Sequence, residues 1–260
     1  MTLAYSETGS GPALVLLHAF PLSRDLWRDV VEDLAACGWR VITPDLPGFG
    51  ASTATVDSID AMANEVAVLL EELGIHSAVV GGCSMGGYVA LSFAQQFPKR
   101  VAGLVLVDTK ASADPEESRA NRARVADQVE ASGSTQALAI AMPDSLLGES
   151  TRRNNPELVV WAKAQILANS ATGVAAAQRA MAMRREQFDT LASLHAPVLS
   201  IRGAEDAVST AADHAAMAAA AHDAVDVKVP DSGHLLPIEQ PSAFVAHMKA
   251  FLQRVRGPHC

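Results

Sequence analysis

The sequence predicts an α/β protein whose mostly parallel, doubly wound sheet is interrupted by one all-helical insertion. Three observations carry that expectation. Short, wholly apolar runs alternate with segments of helical spacing. The alternation lapses between about Thr109 and His195 and then resumes. At one junction between an apolar run and a helix stands Gly82-Cys83-Ser84-Met85-Gly86. The expected division is a core of residues 1–108 and 196–260, with residues 109–195 inserted as a helical cap.

In chain order, Thr8-Gly9-Ser10-Gly11-Pro12 reads as a turn, and Ala13-Leu14-Val15-Leu16-Leu17 as a strand too apolar for either face to meet water. Leu26, Trp27, Val30, Val31 and Leu34 have helical spacing across Arg24 to Cys37, and Gly38 ends the segment. Val41-Ile42 predicts a short strand leading into the Pro- and Gly-rich loop Thr43 to Gly50. A helix is expected from about Ser58 to Leu73, with Ser58 or Asp60 as its cap. The strand Ser77–Gly81, the Gly-x-Ser-x-Gly turn and its helix follow, then a buried strand Val101–Val107 that stops at Asp108. The insertion is rich in Ala and Arg and offers helical pieces separated by Gly, Pro and Asn. Beyond it come the strand Pro197–Ile201, a helix near Ala211–Ala221, the strand Ala224–Val229 and a last helix near Pro241–Val255. Such alternation makes a parallel sheet with helices on both faces, and ligands bind at the carboxyl ends of its strands.

Composition narrows the function. With 49% hydrophobic and 19% charged residues the chain is globular rather than disordered. A net charge of −9 argues against nucleic acid or an anionic membrane as the main partner. No apolar run approaches the ~18 residues of a membrane span, and the first residues carry no secretion signal. Cys37, Cys83 and Cys260 make no disulfide framework, and a cytoplasmic location is the expectation. No Cys/His cluster has metal-ligand spacing, so neither a metal nor an organic cofactor is implied.

Strand, Gly-x-Ser-x-Gly and helix together describe a nucleophile elbow, in which a strained turn thrusts the serine hydroxyl out of the fold. Ser84 also stands at a helix N-terminus, where free N–H groups favour developing negative charge. A serine hydroxyl needs a base to take its proton and a carboxylate to orient that base. His234 follows the last strand within Val229-Pro230-Asp231-Ser232-Gly233-His234, at the sheet's C-terminal edge. His76, His214, His222, His247 and His259 read as solvated histidines in or beside helices or at the chain end, and His195 lies on the wrong side of the sheet. The acid expected is Asp206, just beyond the strand ending at Ile201, with Asp108 as its rival. Asp231 reads as a turn residue and Glu205 as a solvated neighbour. Oxyanion donors are expected from the backbone N–H of Met85 and of Phe20, because Pro21 has none. His18 reads as a brace for the Phe20 loop, and Cys83 as a buried small side chain.

Ser84, Asp206 and His234, in that order, together with Gly82–Gly86, resemble the α/β-hydrolase fold superfamily along nearly the whole chain. His18-Ala19-Phe20-Pro21 looks like its His-Gly-x-Pro oxyanion loop, with Ala19 where glycine is usual. Pro44 to Ser52 looks like the loop after its fourth strand, and the start leaves little room for the two leading strands of the full fold. The insertion and Asp108-Thr109 are most similar to the small bacterial esterase and 3-oxoadipate enol-lactonase-like group. The resemblance implies a serine hydrolase that cleaves a small carboxylic ester or lactone through an acyl-enzyme. C–C hydrolysis, perhydrolysis, acyl transfer and a ligand-binding signalling role stand as alternatives on the same fold. Met142, Leu146, Leu147, Trp161, Ile166, Met181 and Met183 are read as internal packing of the insertion or as pocket lining. The arginines at 119, 122, 124, 152, 153, 184 and 185 are read as solvated helix faces in preference to a carboxylate clamp, and one facing the pocket would favour an acidic lactone or acyl acid.

Overall fold

The computed structural model describes residues 3–256, so the readings for His259 and Cys260 lie outside the described residues. Seven strands form one sheet: β1 Tyr5–Thr8, β2 Ala13–Leu17, β3 Arg40–Pro44, β4 Ala78–Cys83, β5 Val101–Val107, β6 Val198–Gly203 and β7 Ala224–Val229. Their order is β1-β3-β2-β4-β5-β6-β7, and every neighbouring pair is parallel except β1 with β3. One leading strand, β1, precedes β2 and occupies the sheet edge.

The helices are α1 Val31–Ala35, α2 Ile59–Glu72, α3 Met85–Gln96, α4 Glu116–Ser132, α5 Gln136–Ala141, α6 Pro143–Leu146, α7 Glu149–Asn154, α8 Pro156–Ala168, α9 Ala171–Ala182, α10 Phe188–Ser193, α11 Ala211–Ala220, α12 Leu236–Glu239 and α13 Pro241–Arg256. Between β5 and β6 the described residues are helices and connections, as the lapse in alternation predicts. No helix among the described residues is long and apolar enough to cross a membrane.

The central strands are apolar throughout because both faces are covered. Successive side chains go to opposite layers: Val15 and Leu17 join the core with α2 and α3, while Leu14 and Leu16 join the core with α1 and α13. The Ser58 hydroxyl accepts from the Ala61 N–H and starts α2, whose Met62, Val66, Leu69 and Leu70 are buried.

The single helix expected over 24–37 is two pieces, a 3-10 turn at Arg24–Trp27 and the short α1. The adjacent Leu26 and Trp27 are both fully buried. Tight i to i+3 bonds, among them Leu26 N–H to Ser23 and Val30 N–H to Trp27, turn both inward as a regular α-helix would not.

Candidate active site

β4 runs into α3 through Ser84, whose φ of 52° and ψ of −112° lie where a side chain is strained at a cost of about 1–3 kcal/mol. The surroundings hold it there. The Ser84 carbonyl accepts from the N–H groups of Gly87 and Tyr88 and from the Thr109 hydroxyl at 2.8 Å. A Cβ on Gly82 would run into the Gly86 carbonyl, and one on Gly86 into the carbonyls of Leu17 and His18. Both glycines are therefore demanded by close approach.

Ser84 and His234 are 150 residues apart in sequence, and 2.7 Å separates the Ser84 Oγ from His234 Nε2. His234 Nδ1 is 3.0 and 2.9 Å from the two oxygens of Asp206. With Nδ1–H donating to the carboxylate, Nε2 is left as the acceptor for the serine proton. Ser84 is half-buried, whereas the His234 and Asp206 side chains are closed off from solvent. Burial pushes the Asp206 carboxyl up, but the charge of His234 and hydrogen bonds from His234, Ser209 and the Val208 N–H outweigh it and hold the pKa at about 2. For His234, burial opposes the imidazolium; Asp206, by charge and hydrogen bond, prevails and raises the pKa above its usual value.

Asp108, the rival acid, is fully buried but does not face the imidazole as a partner. Its oxygens accept from the Gly203 N–H at 2.8 Å and the Leu236 N–H at 3.1 Å. It thus ties the loop that bears Asp206 to the loop that bears His234. Burial, then the charge of Asp206, push its pKa well above the usual carboxylate range.

Several residues of the site have no signature in the sequence reading. Glu239 is buried and accepts from the N–H groups of Gly148, Gly233 and Leu235 at 2.8, 2.9 and 2.9 Å. The only sequence signal is an acid closing the apolar run Leu235-Leu236-Pro237-Ile238. Glu205 is not merely solvated: it accepts from the Ser150 N–H at 2.8 Å and from the Ser150 hydroxyl. Nor is His214 a surface residue. It is fully buried, and its ring nitrogens meet Ser200 and Ser209. An alanine-rich helix hides which of its faces is covered.

β2 and β4 lie side by side in register, Leu17 against Gly82, so the loops that follow them leave the sheet together. This puts the Phe20 segment beside the elbow. Neither the Phe20 N–H nor the Met85 N–H has a backbone acceptor among the described residues. His18 braces the loop: its Nε2 accepts from the Leu46 N–H at 2.9 Å, which leaves Nδ1–H to donate to the Ala19 carbonyl at 3.0 Å. Burial lowers its pKa and keeps this ring neutral. Asn169, at the end of α8, donates to the Pro21 carbonyl at 2.8 Å and accepts from the Gly50 N–H at 2.9 Å.

Within 109–195, Leu146, Leu147, Ile166 and Met181 are buried. Trp161 is half-buried and donates to Asp25 at 2.9 Å. Met183 is 75% exposed, so it does not pack inside the insertion. Arg184 corrects the reading of solvated arginines: it is buried, pairs with Asp114 at 2.6 Å and lies 4.1 Å from the Tyr88 ring. Arg122 pairs with the same carboxylate. Among the described residues no group of His, Cys, Asp and Glu is placed to hold a metal ion.

Residues 12–241 match the family model described as the alpha/beta hydrolase fold. An esterase structure from Thermogutta terrifontis, described as malate bound, superimposes with a TM-score of 0.94 and 41% identity over 97% of this chain and 93% of that one. The 3-oxoadipate enol-lactonase 2 of Acinetobacter baylyi is 29% identical over 98% of this chain and 94% of its own length. Bifunctional epoxide hydrolase 2 of Sus scrofa is 34% identical over 111 residues, so the chain spans only 20% of that relative's length.

Proposed function

This chain belongs to the α/β-hydrolase fold family, and from that premise we propose that it is a serine hydrolase of small carboxylic esters or lactones. The observation that carries the reading is the unbroken line from the strained Ser84 through His234 to Asp206. In this reading Ser84 Oγ attacks the carbonyl carbon as His234 Nε2 takes its proton, and Asp206 steadies the imidazolium. The N–H groups of Met85 and Phe20 receive the oxyanion at the α3 N-terminus. His234 then protonates the departing alkoxide, leaving Ser84 acylated. Water, deprotonated by His234, attacks the acyl carbon, and the acid departs as Ser84 regains its proton.

Residues 109–195 act in this proposal as a cap on a core of 1–108 and 196–260. The contact of the His234 N–H with the Leu146 carbonyl, 3.0 Å, and the bonds from Gly148 to Glu239 and from Ser150 to Glu205 support that role. The resemblance to an esterase and an enol-lactonase along almost the whole chain supports the substrate class. A cytoplasmic location remains part of the proposal and rests on the thiols Cys37 and Cys83, which are unbridged.

The test is turnover of p-nitrophenyl acetate and butyrate by the parent, Ser84→Ala and His234→Ala. Loss of about 1,000-fold or more in both variants is expected. A Ser84→Ala protein that matches an active parent would overturn the assignment.

A further inference from the structure

The contacts of Asp206 do not end at the triad. Its Oδ2 accepts from the Ser209 hydroxyl; Ser209 Oγ is 3.4 Å from His214 Nε2; His214 Nδ1 is 2.7 Å from Ser200 Oγ; and Ser200 Oγ is 3.1 Å from Asp226 Oδ1. Ser200, Ser209 and His214 are buried, whereas Asp226 is exposed on the edge strand β7. A hydrogen-bonded line thus runs from a surface carboxylate to the acid that orients His234.

Its hydrogens can be counted. Four contacts join Asp206 to Asp226, and two hydroxyls with a neutral imidazole supply three hydrogens. The imidazole is neutral at pH 7, since burial pushes the His214 pKa down to about 4 against the charges of Asp226, Asp206 and Asp213, with Arg202 acting in the same sense as burial. One contact must therefore lack a hydrogen, and the longest, Ser209 to His214, is the one that does. Ser200 then donates to Asp226 and accepts from Nδ1–H, while Nε2 presents a lone pair to Ser209 and competes with Asp206 for its hydroxyl hydrogen. If Asp226 no longer takes the Ser200 hydrogen, that hydrogen turns to Nδ1. The imidazole hydrogen moves to Nε2 and strengthens the donation of Ser209 to Asp206.

Resting on the triad reading above, we propose that Ser209 and His214 are positioning residues for the triad acid. The line from Asp226 sets how strongly Ser209 hydrogen-bonds to Asp206, and thereby how basic His234 is. The acidic groups whose charge acts on His234 are Asp206, Asp108 and Glu239, and only Asp206 is touched by the line.

The two ends of the line predict shifts of opposite sign. Ser209→Ala removes a charge-assisted donor from Asp206, so the His234 pKa rises by about half to one unit. Asp226→Ala strengthens that donor, so the His234 pKa falls by a few tenths of a unit, on the order of one neutral hydrogen bond's change. In Ser209→Ala/Asp226→Ala the second substitution has nothing to act through, and the pKa stays where Ser209→Ala put it. A through-space effect of the lost charge would instead persist in the double variant.

The experiment is an NMR titration of the His234 ring protons in the parent and the three variants, paired with the acid limb of kcat/KM on p-nitrophenyl butyrate. Asp226 is on an exposed edge, so Asp226→Ala does not depend on repacking a buried site. Opposed shifts, with no added shift in the double variant, support the relay. An unmoved His234 in Ser209→Ala, or an undiminished Asp226→Ala shift in the double variant, overturns it. The NMR arm needs no turnover, so failure of the relay is distinguished from failure of the hydrolase reading, which Ser84→Ala tests.

Discussion

Replacing Glu239 by glutamine isolates what holds the His234 loop in place. The carboxylate accepts three backbone N–H groups, with Gly148 and Gly233 on one oxygen and Leu235 on the other. Glutamine keeps one acceptor oxygen and presents an NH2 where the other stood. With its oxygen on Gly148 and Gly233, those two bonds change from charge-assisted to neutral and lose about 1 kcal/mol each. The Leu235 N–H then faces a donor, and an unsatisfied buried N–H costs about 2 kcal/mol more. The expected loss is about 4 kcal/mol in urea unfolding, a fall of about 1.3 M in midpoint if the slope is about 3 kcal/mol per M. Gly233 and Leu235 flank His234, so kcat should drop about ten- to a hundredfold while KM changes little. A stability change under about 1 kcal/mol with kcat intact would refute the claim that Glu239 anchors this loop.

Three further outcomes follow from the same structure. Because His234 is raised above the usual 6.5 and must be neutral to act as base, the acid limb of kcat/KM should lie above pH 6.5. Asp206→Asn lets burial dominate, moves that limb below pH 6.5 and lowers kcat by about three to four orders of magnitude; a limb that did not move would deny Asp206 its role. His214 titrates near 4 when folded and near 6.5 otherwise. The unfolded chain therefore binds the extra proton between those values, and stability present above pH 6.5 is lost as pH falls toward 4, by roughly 3 kcal/mol. His214→Gln should flatten that dependence in urea unfolding at pH 7 and 4.5, and a parent–variant difference that stayed constant with pH would contradict it. In Gly173→Ala, a Cβ would run into the Gly48 carbonyl where α9 meets the 44–52 loop, costing about 1–3 kcal/mol by overpacking; an unchanged unfolding midpoint would mean the contact yields freely.

The sheet was legible because its strands are buried on both faces, so β2, β4 and β5 appear as continuous apolar runs. The meeting of Ser84 with His234 was legible because chemistry, topology and chain order restrict them together. Asp206 was separable from Asp108 only in part: both end strands at one edge, and the choice depends on which carboxylate faces Nδ1 and which faces backbone N–H groups. The supporting shell was illegible for a different reason. Glu239 and Asn169 act through backbone groups, some of them 91 to 148 residues away, and His214 through two serines on other elements; their neighbours are ordinary helix sequence. Likewise, Arg184 reads as a solvated helix end until Asp114, 70 residues earlier, covers it.

The joints between the helical segment and the sheet loops bear on where substitution is tolerated. His234 is bonded through its own N–H to the Leu146 carbonyl, and Glu239 accepts from Gly148 and Gly233 with one oxygen. Gly148 and Gly233 approach so closely that a Cβ on either would strike the other's backbone. Leu146 to Ser150 is therefore tied to the His234 loop, as Asn169 is tied to the Phe20 loop. A substitution at these joints is expected to displace His234 or the Phe20 segment and, on the proposed mechanism, to register in kcat. Exposed apolar positions such as Ile140 and Val160, at 67% and 68% exposure, have no such linkage and can change without cost to the chemistry. Substitutions at Ile140 and Val160 are therefore expected to leave turnover unchanged, whereas in the proposed mechanism the 146–150 stretch is bound to the geometry of Ser84, His234 and Asp206.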